Sequence, residues 1–282
     1  MILRRTRLYV PGNNPHLVEN VGLYGADCLI LDLEDSVPID QKFDARIMVK
    51  YALQNVDFGV SEKWVRINSL DTPFWSKDLE EVLPYVQMVN VPKVESYEEL
   101  DNLSAKMHEI EEKHGVEPRK IVPIIETLKG LVNAREIAKH ERVVAIAWGG
   151  EDLTAELGIP KSKALILEHV RAEIVIAAKS QGKMALDTVY SNIRDEGGLF
   201  EYAKRARYMG FDGVGVLHPN QIEIVHKAFK PEDKEIEDAR RIVEAAEKAM
   251  RDGKGVIALN GRMIDKPVLE RAKKILAFAE VD

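Results

Sequence analysis

The sequence predicts an α/β fold, a (β/α)₈ TIM barrel with a C-terminal helical lid extension, from three observations. Eight short apolar runs of strand character recur in order, each gap between them is long enough for a crossover helix, and no G-x-G-x-x-G or G-x-x-x-x-G-K-[ST] signature is present. A doubly wound open sheet of this size would have fewer strands and a glycine-rich first turn.

The strand-like runs are 7–10, 28–33, 63–67, 88–91, 121–125, 143–147, 183–188 and 213–217, all rich in β-branched, aromatic or other apolar residues. Helical patterns fill the gaps, including 96–113, 129–140, 165–180 and 199–209. Beyond the eighth run, 230–235 is a charged turn containing Pro231, and 236–250 is an amphipathic helix. A turn at 251–255, a short strand at 256–259 and a final helix over 265–279, with Pro267 in its first turn, complete the chain. The expected division is therefore a catalytic barrel over 1–230 and C-terminal helices with a lid over 231–282.

A length of 282 residues suits one such barrel with a tail, and 45% hydrophobic with 31% charged residues is a globular composition. The formal net charge of −7, with both signs intermixed, argues against nucleic acid or an anionic membrane as partner. Cys28 is the sole cysteine, which excludes an intrachain disulfide or a thiolate metal site and fits a reducing cytoplasm. The basic start, 1–7, runs into Pro11 and Gly12 without an apolar stretch, so no export or anchoring segment is expected. Abundant Lys, Glu and Arg are compatible with a heat-adapted source.

Reacting groups of such barrels sit where strands end and βα loops begin. The strand ends here carry Asp32, Glu34 and Asp35; Arg66 and Asn68; Lys93; Glu126; Glu151 and Asp152; Asp187 and Tyr190; His218 and Gln221. Several carboxylates with few histidines or thiols suit a hard, oxygen-preferring cation, Mg²⁺ or Mn²⁺, better than zinc. Such an ion can chelate a 2-oxo or 2-hydroxy acid, with an arginine nearby to receive enolate charge.

Each residue also has a plainer explanation. Asp152 precedes an apolar segment and could cap a helix, and Asp265 before Lys266-Pro267 has the form of an N-cap. Glu126 ends an otherwise apolar strand, where a charge is costly unless paired or bound to metal. Strand alternation puts Ile30, Asp32 and Glu34 on one side, so a structural salt-bridge network with Arg66 is the alternative to an active site there. His218, with no second histidine at ligand spacing, reads as a hydrogen-bonding loop residue rather than a base, while Tyr190 and Lys93 read equally as structural or functional.

The ordered set of segments resembles the citrate lyase β-subunit-like family of the HpcH/HpaI aldolase superfamily, which includes malyl-CoA and citramalyl-CoA lyases. The matching stretches are RRTRLYVPGN (4–13), LDLEDSV (31–37), VRIN (65–68), PIIET (123–127), GGEDL (149–153), LDTVY (186–190), LHPNQ (217–221) and GRMID (261–265). The resemblance implies a barrel enzyme that assembles as a homotrimer or hexamer, with Mg²⁺ held by Glu126 and Asp152. It implies that Arg66 contacts thioester or carboxylate oxygens, that Glu34 and Asp35 order the arginine and water, and that the amides of Gly150, Glu151 and Asp152 receive the oxo-acid carboxylate. Arg5 matches a basic residue near the CoA phosphates. Asp265 matches the lid aspartate that reaches a neighbouring subunit's site as acid/base, and this lid favours a free-standing enzyme over a complex subunit. The segment GVGVLHP departs from the family in lacking a lysine before HP.

The expectation is thus a Mg²⁺-dependent carbon–carbon lyase that cleaves a 2-hydroxy acyl-CoA of malyl, citramalyl or citryl type into a 2-oxo acid and acetyl-CoA. Its rivals are a citrate lyase β chain acting on a carrier-bound citryl group, a class II aldolase for free 4-hydroxy-2-oxo acids, and a catalytically silent scaffold.

Overall fold

Residues 28–32, CLILD, are buried without exception, as a parallel strand covered on both faces must be. Three further strands are buried throughout and the other four in part. The computed structural model describes residues 3–251, 257–259 and 262–280. In it β1 (Thr6–Pro11), β2 (Cys28–Asp32), β3 (Glu62–Arg66), β4 (Met88–Val91), β5 (Lys120–Ile125), β6 (Ala145–Trp148), β7 (Met184–Val189) and β8 (Gly213–Val216) form a closed barrel in sequence order. Closure is parallel, with Thr6, Arg7 and Leu8 of β1 opposite Val214, Gly215 and Val216 of β8.

All eight expected strands are present, displaced by one or two residues at most of their ends. The largest shift is at β6, where Val143 makes only an isolated bridge to Ile121.

The helices follow the expected gaps. They are α1 (Pro15–Val18), α2 (Lys42–Asn55), α3 (Trp75–Val82), α4 (Tyr97–His114), α5 (Leu128–Ile137), α6 (Gly150–Glu156), α7 (Leu167–Ser180), α8 (Glu196–Met209) and α9 (Asn220–Phe229). Local chemistry sets several of their ends. Ser96 caps α4 by accepting from the Glu99 amide, and Gly115 terminates it with a left-handed backbone that a side chain would strain. Thr127 caps α5 and Asp195 caps α8 in the same way.

Inside the barrel, Cys28, Ile30, Trp64, Met88, Val122, Ile124, Ala145, Ala147 and Leu186 form one apolar cluster. Trp64 is fully buried within it; enclosing a side chain of that size contributes roughly 3 kcal/mol. Small alanines on β6 oppose the large residues of β3 and β4, so the lumen is filled. Directly above this cluster the inward positions turn polar: Asp32, Arg66 and Asn90 stand opposite one another on β2, β3 and β4.

The chain divides into two compact units, one spanning Arg4–Ala228 and the other comprising Leu3 with Phe229 onward. In the second unit, α10 (Asp233–Arg251) packs against α11 (Lys266–Ala279), and β9 (Ile257–Leu259) pairs antiparallel with β10 (Arg262–Ile264). The hairpin partner β10 was not expected from the sequence. The expected turn at 251–255 falls largely outside the described residues, as do Val256 of the short strand and Gly261 of the GRMID segment. Among the described residues no helix is long and apolar enough to cross a membrane.

Candidate active site

The polar side chains at the carboxyl ends of β2 to β6 converge on the barrel mouth. Arg66, the last residue of β3, donates from Nε to Asp32 Oδ1 and from Nη2 to Asp32 Oδ2, both at 2.7 Å. The strand pairing that sets Asp32 opposite Arg66 makes this fork possible. Asp32 also accepts from the Glu34 amide, the Ser36 amide and the Ser36 hydroxyl, so its four lone-pair positions are used. Burial works against the Asp32 carboxylate, but Arg66 outweighs it and holds its pKa down.

The other side of the guanidinium faces Glu34 and Asp35. Arg66 Nη1 lies 2.8 Å from Glu34 Oε2 and 3.6 Å from Asp35 Oδ2. The Glu34 contact is an ion pair without hydrogen-bond alignment, since Oε2 has no hydrogen-bond partner. Burial pushes Glu34 up to about 7, Arg66 opposing and Asp35 and Asp32 adding to the rise. The turn after β2 is held from below by Lys42, whose ammonium donates to the carbonyls of Leu33 and Glu34 at 2.8 and 2.6 Å.

Glu126 follows β5 and is 5% exposed. Its Oε2 is buried with no hydrogen-bond partner, and burial, reinforced by Glu34, Asp152 and Asp35, pushes its pKa up to about 8 against the pull of Arg66. A side chain at Gly149 would place its Cβ 2.4 Å from Glu126 Oε1, so glycine is what allows this carboxylate to lie against the β6–α6 turn. Asp152 sits in the first turn of α6 and is not its cap; the N-cap is Gly149. Lys93 Nζ stands 3.7 Å from Asp152 Oδ1 and 3.9 Å from Glu34 Oε1, between the two acidic groups.

A buried carboxylate that lacks a donor, beside a second carboxylate, is a donor set that fits a hard divalent cation. No group of three or more His, Cys, Asp or Glu able to hold a metal occurs among the described residues. Glu126 and Asp152 would therefore supply two ligands, with water and substrate oxygens completing the shell, as hard cations of this kind commonly accept.

The β6–α6 turn is fixed from β7. The Gly150 amide donates to Thr188 Oγ1 at 3.2 Å, Trp148 Nε1 donates to Asp187 Oδ1 at 2.8 Å, and Arg171 forks onto Asp187 Oδ2. One of the expected carboxylate-binding amides is thus already engaged. Beside Glu151 a cleft of about 1180 Å³ opens, lined in part by Trp148, Lys161, Thr188 and Tyr190. The His218 ring is engaged within its own loop, by Asn220.

Glu34, Asp35, Arg66, Glu126 and Asp152 are brought together, with Glu151 and Gly150 alongside. Arg5 is not. It precedes β1 at the opposite, amino-terminal end of the barrel and forks onto Asp27, donating from Nε and Nη2 at 3.0 Å each. The CoA-phosphate role implied for it finds no support in this placement. Asp265 caps α11, accepting from the Val268 amide at 3.1 Å, with Pro267 in the first turn. Asp32 and Lys93, strand-end candidates with no assigned role, complete the site, together with Lys42, which the sequence did not single out. The alternation of β2 and the PK pair after β4 carried their signal, but neither tells which strand end faces which.

The model of the HpcH/HpaI aldolase/citrate lyase family matches residues 5–219. The citrate lyase subunit beta of Leuconostoc mesenteroides subsp. cremoris is 39% identical over 99% of this chain and 94% of its own. The mitochondrial citramalyl-CoA lyase of Homo sapiens is 35% identical over 99% of this chain and 86% of its own. The crystal structure of CitE from Mycobacterium tuberculosis in complex with magnesium, acetoacetate and coenzyme A superposes with a TM-score of 0.81 at 33% identity, covering 99% of this chain and 98% of that one.

Proposed function

This chain belongs to the HpcH/HpaI aldolase/citrate lyase family, and from that premise we propose that it is a magnesium-dependent carbon–carbon lyase that cleaves a 2-hydroxy acyl-CoA into a 2-oxo acid and acetyl-CoA. The observation that carries the reading is Glu126: a buried carboxylate with an unpartnered oxygen, facing Asp152 and a pinned arginine. A solved relative in complex with magnesium, acetoacetate and coenzyme A supports the same cofactor and substrate class.

In this reading Glu126 and Asp152 hold the cation, which supplies Lewis-acid stabilisation of charge on the oxo-acid oxygens. Manganese has the same preference for oxygen ligands and would serve. The amides of Glu151 and Asp152 in the β6–α6 turn orient the acid's carboxylate, the Gly150 amide being engaged by Thr188. Arg66 has five N–H donors, of which Asp32 engages two and Glu34 attracts a third. The others are free to receive the negative charge that reaches the thioester oxygen as the carbon–carbon bond breaks. Glu34 and Asp35 orient Arg66 and order water beside it. Asp265 of a neighbouring copy returns a proton to the enolate carbon, and in condensation removes it. A cytoplasmic homotrimer or hexamer would accommodate that arrangement, with a catalytic barrel of 1–230 and C-terminal helices and lid of 231–282.

A second reading is a citrate lyase β chain that acts on a citryl group carried by an acyl carrier protein. The 39% identity to a citrate lyase subunit beta favours it, and that match covers 99% of this chain, so the C-terminal extension does not separate the two readings. The tail therefore does not favour a free-standing enzyme over a complex subunit.

The test is acetyl-CoA release by the purified protein from malyl-, citramalyl- and citryl-CoA, with Mg²⁺ and then with EDTA. Metal-dependent cleavage of one thioester is expected. Silence across the panel, followed by activity with a citryl carrier protein, would establish the second reading instead.

A further inference from the structure

Lys93 has a backbone unlike that of any other side-chain-bearing residue in the described chain. Its φ is +53°, and every other positive φ among the described residues belongs to glycine. A Cβ disfavours this left-handed conformation, which persists only where the surroundings over-determine it and is concentrated at functional sites. The residue follows Pro92 at the end of β4, and the side chain ends in the mouth, 3.7 Å from Asp152 and 3.9 Å from Glu34.

Both distances exceed a hydrogen bond, so the ammonium stands between the carboxylates and is committed to neither. Its side chain is 37% exposed. Partial burial disfavours its charge, yet Glu34, Asp152, Asp35 and Glu126 together outweigh that and raise its pKa. Asp32 is consumed by Arg66, which leaves these four carboxylates facing Arg66 and Lys93. A divalent cation on Glu126 and Asp152 would add two positive charges within a few ångströms of the ammonium. The cation and the ammonium would then stand in close repulsion beside Asp152. An acid bound at the same place removes that repulsion.

We propose that Lys93 is a positioning residue that makes cation binding depend on the acidic substrate: beside Asp152 its ammonium weakens binding of a divalent cation alone, and the carboxylate of a 2-oxo acid restores it. The coupling is reciprocal, so the cation tightens the acid by the same factor. The enzyme thereby loads metal and acid together. This rests on the reading that Glu126 and Asp152 hold the cation.

Calorimetric titration of the full chain with Mg²⁺, without and with saturating pyruvate, tests it. In the unaltered protein pyruvate is expected to tighten Mg²⁺ by about ten-fold, whereas Lys93→Gln should bind Mg²⁺ alone about five-fold more tightly and lose most of the pyruvate effect. Lys93→Arg, which keeps the charge, should behave as the unaltered protein. Lys93→Gly removes the ammonium and suits the left-handed backbone, so it should bind Mg²⁺ as Lys93→Gln does and melt at a higher temperature. Unchanged or weaker Mg²⁺ binding in both Lys93→Gln and Lys93→Gly overturns the proposal. Should the unaltered protein bind no Mg²⁺, or Glu126→Gln leave its affinity intact, the placement of the cation itself is wrong, and that outcome is distinct from the first.

Discussion

The two ends of the barrel use the same residue types to opposite effect. At the amino end Arg4 meets Glu62 at 2.7 and 3.0 Å, Arg5 forks onto Asp27, and His226 Nε2 lies 2.9 Å from Thr6 Oγ1 and 3.4 Å from Asp27 Oδ1. Each acid there has its base. At the carboxyl end Glu34, Asp35, Glu126 and Asp152 share Arg66 and Lys93, and Glu126 Oε2 has no partner. A buried charge that is matched holds the fold, whereas one left unmatched raises the energy of the empty site and lowers it when a cation or substrate arrives. The difference between the ends is therefore the difference between stability and chemistry, and it can be broken from either side.

The largest effect is expected at Glu126. Glu126→Gln keeps the shape of the side chain but removes its charge, and should lower Mg²⁺-dependent turnover by roughly a thousand-fold. The same substitution should raise the melting temperature of the metal-free protein, because the uncompensated carboxylate is gone. A variant that lost activity and stability together would mean that Glu126 is matched after all, and the contrast between the ends would fail.

Asp27→Asn should do the reverse. It leaves the Arg5 guanidinium, 7% exposed, without its counter-charge, and a destabilisation of about 3 kcal/mol in urea unfolding is expected. Turnover per folded molecule should stay within about two-fold, because Asp27 is a barrel length from the mouth and removes no charge that the mouth uses. A collapse of turnover in the folded variant would show that the amino end is coupled to the chemistry.

The smallest effect distinguishes the ends by sign. Burial disfavours the Asp27 carboxylate, but His226 and Arg5 outweigh it and hold its pKa below the usual carboxylate range. Its stabilisation is complete above the unfolded value of about 4 and is lost as pH falls toward the folded one. Glu126 is pushed up to about 8. In the metal-free protein its contribution runs the other way: the folded state retains a proton that the unfolded state has released, so stability declines from about pH 4.3 to about pH 8. Unfolding free energy measured across this range should fall with pH without metal, and the slope should flatten when Mg²⁺ is added. Equal slopes with and without Mg²⁺ would place the cation elsewhere.

Much of this was legible before any coordinates. The period of two in CLILDLED put Asp32 and Glu34 on one face, and Glu126 stood out because its strand is otherwise apolar. Asp265 before a lysine and a proline read as a cap, and it is one. What could not be read were relations between strands. Arg5 and Arg66 are both arginines at strand ends, yet they lie at opposite ends of the barrel, the one before β1 and the other closing β3. Lys93 was a strand-end candidate that the sequence left open between structure and function; its left-handed backbone and its place between Glu34 and Asp152 depend on loops from β2 and β6.

The sequence by itself determined the eight alternating units, the polarity of each strand end and the residue types available to the mouth, because periodicity, capping and turn chemistry act over a few neighbours. Only the tertiary structure decided that Asp32 is spent on Arg66, that Gly149 yields its Cβ space to Glu126, and that the charges balance at one end and not at the other. Those outcomes depend on which strands adjoin and in what register once the barrel closes, and closure is a property of the whole chain.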